Sequence, residues 1–162
     1  MNQEKSKISS HFTLNEMTKT SVKGVSNVPP KEAVENLKRL CVWLEQLRYR
    51  YNSRYVLLAN EDYNTSKNVE PILINSGYRS EAVNKAIGGV KGSNHLTGCA
   101  VDIRVNGIEQ AIRYACILLD ISDENCMDFD ELLIERSPKG TYWLHFAVRP
   151  SGNRRKVRFI QT

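Results

Sequence analysis

Apolar residues return every three or four positions between Pro30 and Arg50, at Val34, Leu37, Leu40, Cys41, Leu44 and Leu47. That period is the signature of one long amphipathic helix through "KEAVENLKRLCVWLEQLRYR", begun by the Pro29-Pro30 pair. A second helical period runs through "GIEQAIRYACILLD", and a shorter helix is expected in "SEAVNKAIGG", with Ser80 as its cap, Glu81 in its first turn and Gly88-Gly89 at its end. Strand patterns lie between. "PILINSG" reads as a short buried strand. "GCAVDIRV" alternates, with Cys99, Val101 and Ile103 on one face and Ala100, Asp102 and Arg104 on the other. "FDELLIERS" and "YWLHFAV" read as two strands joined by a "PKGT" turn. Strands and helices mix without regular β-α alternation, which predicts an α+β fold, a small mostly antiparallel sheet flanked by helices.

Two stretches carry no sustained period. Residues 1–30 form an N-terminal lead-in, with one short helix expected in "TLNEMT", where Thr13 can cap and Glu16 can close a capping box. Residues 50–70 are polar and rich in turn formers, and read as an irregular or partly helical insertion. With 162 residues, 41% hydrophobic and 25% charged, the whole chain, 1–162, is expected to form a single domain.

Composition narrows the function. No apolar run approaches the roughly 18 residues of a membrane span, and "MNQEKSKISS" lacks the apolar centre of a secretory signal. The expectation is synthesis in the cytoplasm and no membrane insertion. Cys41, Cys99, Cys116 and Cys126 show no C-x-x-C spacing and are expected to be buried free thiols. The net charge of +5 suits an anionic partner, and "GNRRKVRF" concentrates part of it. No helix-turn-helix, finger or aromatic-basic pattern accompanies that charge, so nucleic acid is not the expected partner. The glycines of "AIGGVKGSNH" do not follow the order of a phosphate loop.

Three histidines are present, and two of them fall in or beside expected strands: His95, seven residues before Asp102, and His145 in the second arm of the hairpin. Two imidazoles and a carboxylate make a ligand set that leaves a tetrahedral zinc position open for water, as hydrolytic sites require. Spacing alone leaves open the alternative that each histidine is a satisfied structural residue.

Taken together and in order, "SGYRS", "SNHLTGCAVDI" and "WLHF" resemble the zinc D-Ala-D-Ala carboxypeptidase and L-alanyl-D-glutamate peptidase family, in particular its short phage and bacterial subgroup A, with the hedgehog/DD-peptidase fold. The motif positions are filled by Ser76, Gly77, Tyr78 and Arg79, then Ser93, His95, Gly98, Ala100 and Asp102, then Trp143 and His145. The resemblance implies one zinc ion held by His95, Asp102 and His145, with Arg79 near the scissile carbonyl and Tyr78 and Ser93 beside the substrate. Some relatives carry the catalytic acid three residues before the last histidine, where this chain has Tyr142. "FDELLIE" instead matches a subgroup motif ending in an acid, which implies Glu135 as general base ahead of Asp130 or Glu131. The implied activity is hydrolysis of D-residue-containing peptide bonds in bacterial peptidoglycan stem peptides, by a monomer released to the wall by a phage-type route. The alternative is a catalytically inactive zinc-binding module that recognises cell wall. Neither the bond cut, carboxypeptidase or endopeptidase, nor the phage or bacterial origin follows from the motifs.

Overall fold

The computed structural model describes residues 7–162, so the first six residues of the lead-in lie outside it. Helix α1 (Leu14–Met17) opens on the expected capping box, with the Thr13 side chain accepting from the Glu16 N–H and the Glu16 carboxylate accepting from the Thr13 N–H. Helix α2 (Lys31–Tyr55) follows. Strand β1 (Ile74–Ser76), helix α3 (Glu81–Ala86), a 3-10 turn (Asn94–Thr97), strand β2 (Ala100–Arg104), helix α4 (Gly107–Asn125) and strands β3 (Glu131–Arg136), β4 (Tyr142–Ala147) and β5 (Lys156–Gln161) complete the chain.

The five strands form one sheet in the order β1-β2-β4-β3-β5. All neighbours are antiparallel except β3 and β5, which run parallel. The fold is therefore α+β with a mixed sheet. Alternation splits each strand between two faces. Val101, Ile103, Leu132, Leu144 and Phe146 are buried against α2 and α4, and join one apolar cluster with Leu37, Leu44, Ile117 and Leu118. Trp43 of α2 packs on Phe146 with ring centroids 5.2 Å apart. The opposite face carries Asp102, His145, Leu133, Glu131 and Glu135, placed together by register.

Four expectations are corrected. Helix α2 runs five residues past Arg50, because Tyr51 and the fully buried Asn52 continue its inward stripe. Asn52 then ties down the return of the intervening segment, donating to the Glu70 carbonyl at 3.0 Å and accepting from the Glu70 N–H at 2.6 Å. The strand in "PILINSG" is only three residues long and half-exposed at the sheet edge, with Ile72, just before it, as the buried anchor. Cys41 and Cys99 are buried, but Cys116 and Cys126 are exposed, and all four are free thiols. Strand β5 was not anticipated at all: "KVRFIQ" reads first as a basic cluster, yet it alternates with period two and pairs along the full length of β3. Among the described residues no helix is long and apolar enough to cross a membrane.

The lead-in is bolted to the segment that precedes the site. The Tyr78 N–H donates to the Met17 carbonyl at 2.8 Å, and the Asn27 amide donates to the carbonyls of Thr18 and Tyr78 while accepting from the Ser80 N–H. Gly77 is required here, since a Cβ would collide with the Met17 carbonyl. Gly98 is required twice over: its φ is +70°, and a Cβ would stand 2.5 Å from the Ala33 carbonyl of α2. Gly98→Ala should therefore lower stability by about 2–4 kcal/mol in denaturant unfolding. A loss under 0.5 kcal/mol would show that the turn between His95 and Asp102 is not pinned against α2.

Candidate metal centre

Strand pairing brings the centre together. Asp102 of β2 stands directly opposite His145 of β4, and His145 stands opposite Leu133 of β3, so all three share one sheet face. His95 comes from the 3-10 turn, which Ser93 caps by accepting the His95 N–H and which Gly98 closes with a left-handed residue. The imidazoles of His95 and His145 and the carboxylate of Asp102 are all buried, and one potential ligand atom from each lies within 4.8 Å of the others.

Hydrogen bonds fix which atoms face inward. His95 Nδ1 lies 2.6 Å from the Gly77 carbonyl, which can only accept, so Nδ1 carries the proton and Nε2 presents its lone pair. His95 Nε2 and His145 Nδ1 both point at the same oxygen, Asp102 Oδ1, at 3.2 and 2.9 Å. Asp102 Oδ2 accepts from the Arg79 guanidinium, and Arg79 Nε donates to Ser76 Oγ at 2.8 Å. The outer nitrogen of His145, Nε2, is buried and has no well-formed hydrogen bond; the nearest charge is Glu131 Oε2 at 3.5 Å. Two neutral imidazole nitrogens and a carboxylate oxygen converging in a buried pocket form a donor set suited to one divalent cation of the zinc type.

These positions shift the proton affinities. Burial works against charging Asp102, but the two histidines beside it outweigh that and hold its carboxyl far below the ordinary range. Burial likewise opposes a charged His145, yet hydrogen bonding and attraction from Asp102 and Glu131 raise it to about 9 in the metal-free protein. The hydrogen-bonding pull of His145, aided by Lys156, lowers Glu131 to about 2. Glu135 moves the other way, since burial in the cleft pushes it above the usual carboxylate range while the charge of His145 only partly compensates.

The remaining sequence candidates divide clearly. Asp130 is fully buried, accepts from Nε and Nη2 of Arg154 and from Asn94, and lies 3.1 Å from Arg149 Nε, which itself donates to Asn94, so it is a structural carboxylate away from the cleft. Glu131 lines the cleft but is held by Arg154 at 3.0 Å and Lys156 at 3.1 Å. Glu135, paired across the hairpin with Trp143 and thus diagonal to His145, lines the same cleft of about 570 Å³ and forms no ion pair among the described residues. Tyr78 is buried in the apolar cluster and does not line the cleft. Tyr142 lies on the other sheet face, its ring 6.5 Å from that of Phe159. His11 pairs with Glu45 at 2.6 Å, outside the site. Motif reading did not single out Asn94, Arg149, Arg154 or Lys156, because their roles arise from contacts between segments 24 to 55 residues apart.

The raised His145 sets a sign for metal binding. Below about pH 9 its ring is protonated in the metal-free protein, and a cation must displace that proton. Zinc affinity, corrected for the competing chelator, is expected to rise about tenfold per unit between pH 7 and 9 and to level off above. Glu131→Gln removes the negative charge beside Nε2 and should shift the break to lower pH; an unmoved break would mean that Glu131 does not act on His145.

Residues 61–122 match the family model described as Peptidase M15. No curated protein matches the chain at a significant level. The matched stretch includes Arg79, His95 and Asp102, whereas Glu135 and His145 lie beyond it and reach the site through β3 and β4. The chain is thus similar over residues 61–122 to the Peptidase M15 family, and two members of its buried His-Asp-His donor set, His95 and Asp102, fall inside that match.

Proposed function

We propose that the protein is a zinc-dependent peptidase that hydrolyses D-residue-containing peptide bonds of bacterial peptidoglycan stem peptides. The observation that carries the reading is an unpaired cleft carboxylate, Glu135, on the same sheet face as the buried His95, Asp102 and His145 cluster. His95 through Nε2, His145 through Nδ1 and Asp102 would hold a single ion. When bound, zinc supplies Lewis acidity toward a peptide carbonyl and makes water at the site more acidic.

The chain's own groups supply the rest. Glu135, with its proton affinity raised by burial, takes a proton from the attacking water and returns it to the departing amine, a task for which a carboxylate shifted toward neutrality is better suited than the ion-paired Glu131. Arg79 orients Asp102 through one Nη and anchors itself to Ser76 through Nε, and its side chain lines the cleft, where it can stabilise charge developing on the carbonyl oxygen. Ser93 holds the ligand turn from the cleft side. Substrate identity rests on the family resemblance of "SGYRS", "SNHLTGCAVDI" and "WLHF". Phage-type delivery to the wall belongs to the same proposal.

His95→Ala, Asp102→Ala and His145→Ala should each lose most of the bound zinc, read by metal analysis after dialysis. Equal zinc content in the parent and all three variants would reject the ligand set. Glu135→Gln should keep its zinc and lose on the order of 10²-fold or more in the release of new amines from purified wall or stem peptides. Full activity in Glu135→Gln would move the base elsewhere, and zinc binding without turnover in the parent would favour a wall-recognition module.

A further inference from the structure

Two of the three donors are placed by strand register, and the third is not. Asp102 and His145 face each other across β2 and β4, whereas His95 rides on the 3-10 turn, whose distance from the sheet strand pairing does not set. His95 itself is held from the β1 side: its carbonyl accepts from the Arg79 N–H at 3.0 Å, and its Nδ1 donates to the Gly77 carbonyl. On the β3 side, the hydrogen bonds from the turn are, among the described residues, those of one side chain, Asn94.

Asn94 is buried, and both ends of its amide are used. Nδ2 donates to Asp130 Oδ2 at 2.7 Å and to Glu131 Oε2 at 3.2 Å, and Oδ1 accepts from Arg149 Nε at 3.0 Å. Two carboxylates on one side and a guanidinium on the other fix the amide in a single orientation, since reversal would set oxygen against oxygen and N–H against N–H. Aspartate at this position would repel both acidic partners, and serine would be too short to reach them.

The far end of the contact is rigid. Asp130 is fully buried and receives a two-pronged pair of hydrogen bonds from Arg154, at 2.8 and 2.7 Å. Its N–H donates to the Ala147 carbonyl and its carbonyl accepts from the Lys156 N–H, so β4 and β5 grip it from either side. Glu131, the other acceptor, stands with Oε2 3.5 Å from His145 Nε2. The Asn94 amide therefore lies between the turn that carries one imidazole and the residue that backs the other.

We propose that Asn94 is a positioning residue for the metal centre: clamped on Asp130 and Glu131, it fixes the distance of His95 from Asp102 and His145, so that the three donors converge before a cation arrives. The inference rests on the ligand set of the proposed peptidase, and on neither its substrate nor its turnover. Without the clamp the turn is free to draw away from β3, and closing the site then costs part of the binding free energy.

The test compares the parent with Asn94→Ala, Asp130→Asn and the exchange Asn94→Asp/Asp130→Asn, each made metal-free and reloaded. Zinc Kd is read by chelator competition at one pH, ligand geometry by the visible absorption of the cobalt(II)-loaded protein, and stability by the melting temperature of the metal-free protein. Asn94→Ala should weaken zinc binding about tenfold or more and alter the cobalt bands, while the metal-free melting temperature falls by no more than about 5 °C. The exchange again sets a carboxylate against an amide and should bind zinc more tightly than Asp130→Asn. Zinc affinity and cobalt bands in Asn94→Ala that match the parent overturn the clamp. So does weakened zinc binding with unaltered cobalt bands, which marks a general loosening of the fold, and so does a folded exchange that binds no more tightly than Asp130→Asn. If either Asp130 variant fails to fold, Asn94→Ala alone decides. A parent that takes up no zinc rejects the ligand set as well, and is thereby told apart from failure of the clamp alone, where parent and Asn94→Ala bind zinc alike.

Discussion

A slip of one residue between β2 and β4 would turn His145 into the helix-packed face and leave Asp102 opposite an apolar side chain. The antiparallel register that sets Asp102 against His145 is thus the constraint on which the centre depends. It is enforced from the other face, where Val101, Ile103, Leu144 and Phe146 must all be buried against α2 and α4. The chemistry of one side of the sheet is therefore specified by the packing of the other. The same alternation places Glu131, Leu133 and Glu135 on the cleft side of β3, two carboxylates with different fates. One is drawn into ion pairs by Arg154 and Lys156, and the other is left half-buried with no ion pair among the described residues.

Around Asp102 the polar groups form a connected support. Asp102 accepts from Arg79 and faces His95 Nε2 and His145 Nδ1 through one oxygen; His95 is fixed by the Gly77 carbonyl; Gly77 lies against Met17, which the lead-in holds in place. The N-terminal residues, which look peripheral in sequence, thus take part in setting the tautomer of a ligand. Such outer contacts orient first ligands as firmly as the strands that carry them.

Much of this was legible in the sequence where the information is local. The capping box at Thr13 and Glu16, the helix begun by Ser80, the alternation of "GCAVDIRV" and the glycine-closed turn before Asp102 depend on residues a few positions apart. The convergence of His95, Asp102 and His145 was implied by motif resemblance and not by spacing, because strand pairing joins residues 43 apart. What escaped is non-local or masked by charge. Lys156 and Arg158 dominate the look of "KVRFIQ", although Val157 and Phe159 alternate with them as a strand demands. The extension of α2 to Tyr55 rests on Asn52 finding its partner at Glu70, which no local propensity reveals. The unequal pairing of Glu131 and Glu135 depends on β5 lying beside β3.

Anomalous diffraction at the zinc absorption edge, from crystals grown with zinc, tests the centre most directly. The account predicts a single strong peak within bonding distance of His95 Nε2, His145 Nδ1 and the Asp102 carboxylate, with Glu135 facing the open side. A peak elsewhere on the chain, or none within reach of those three groups, would contradict it.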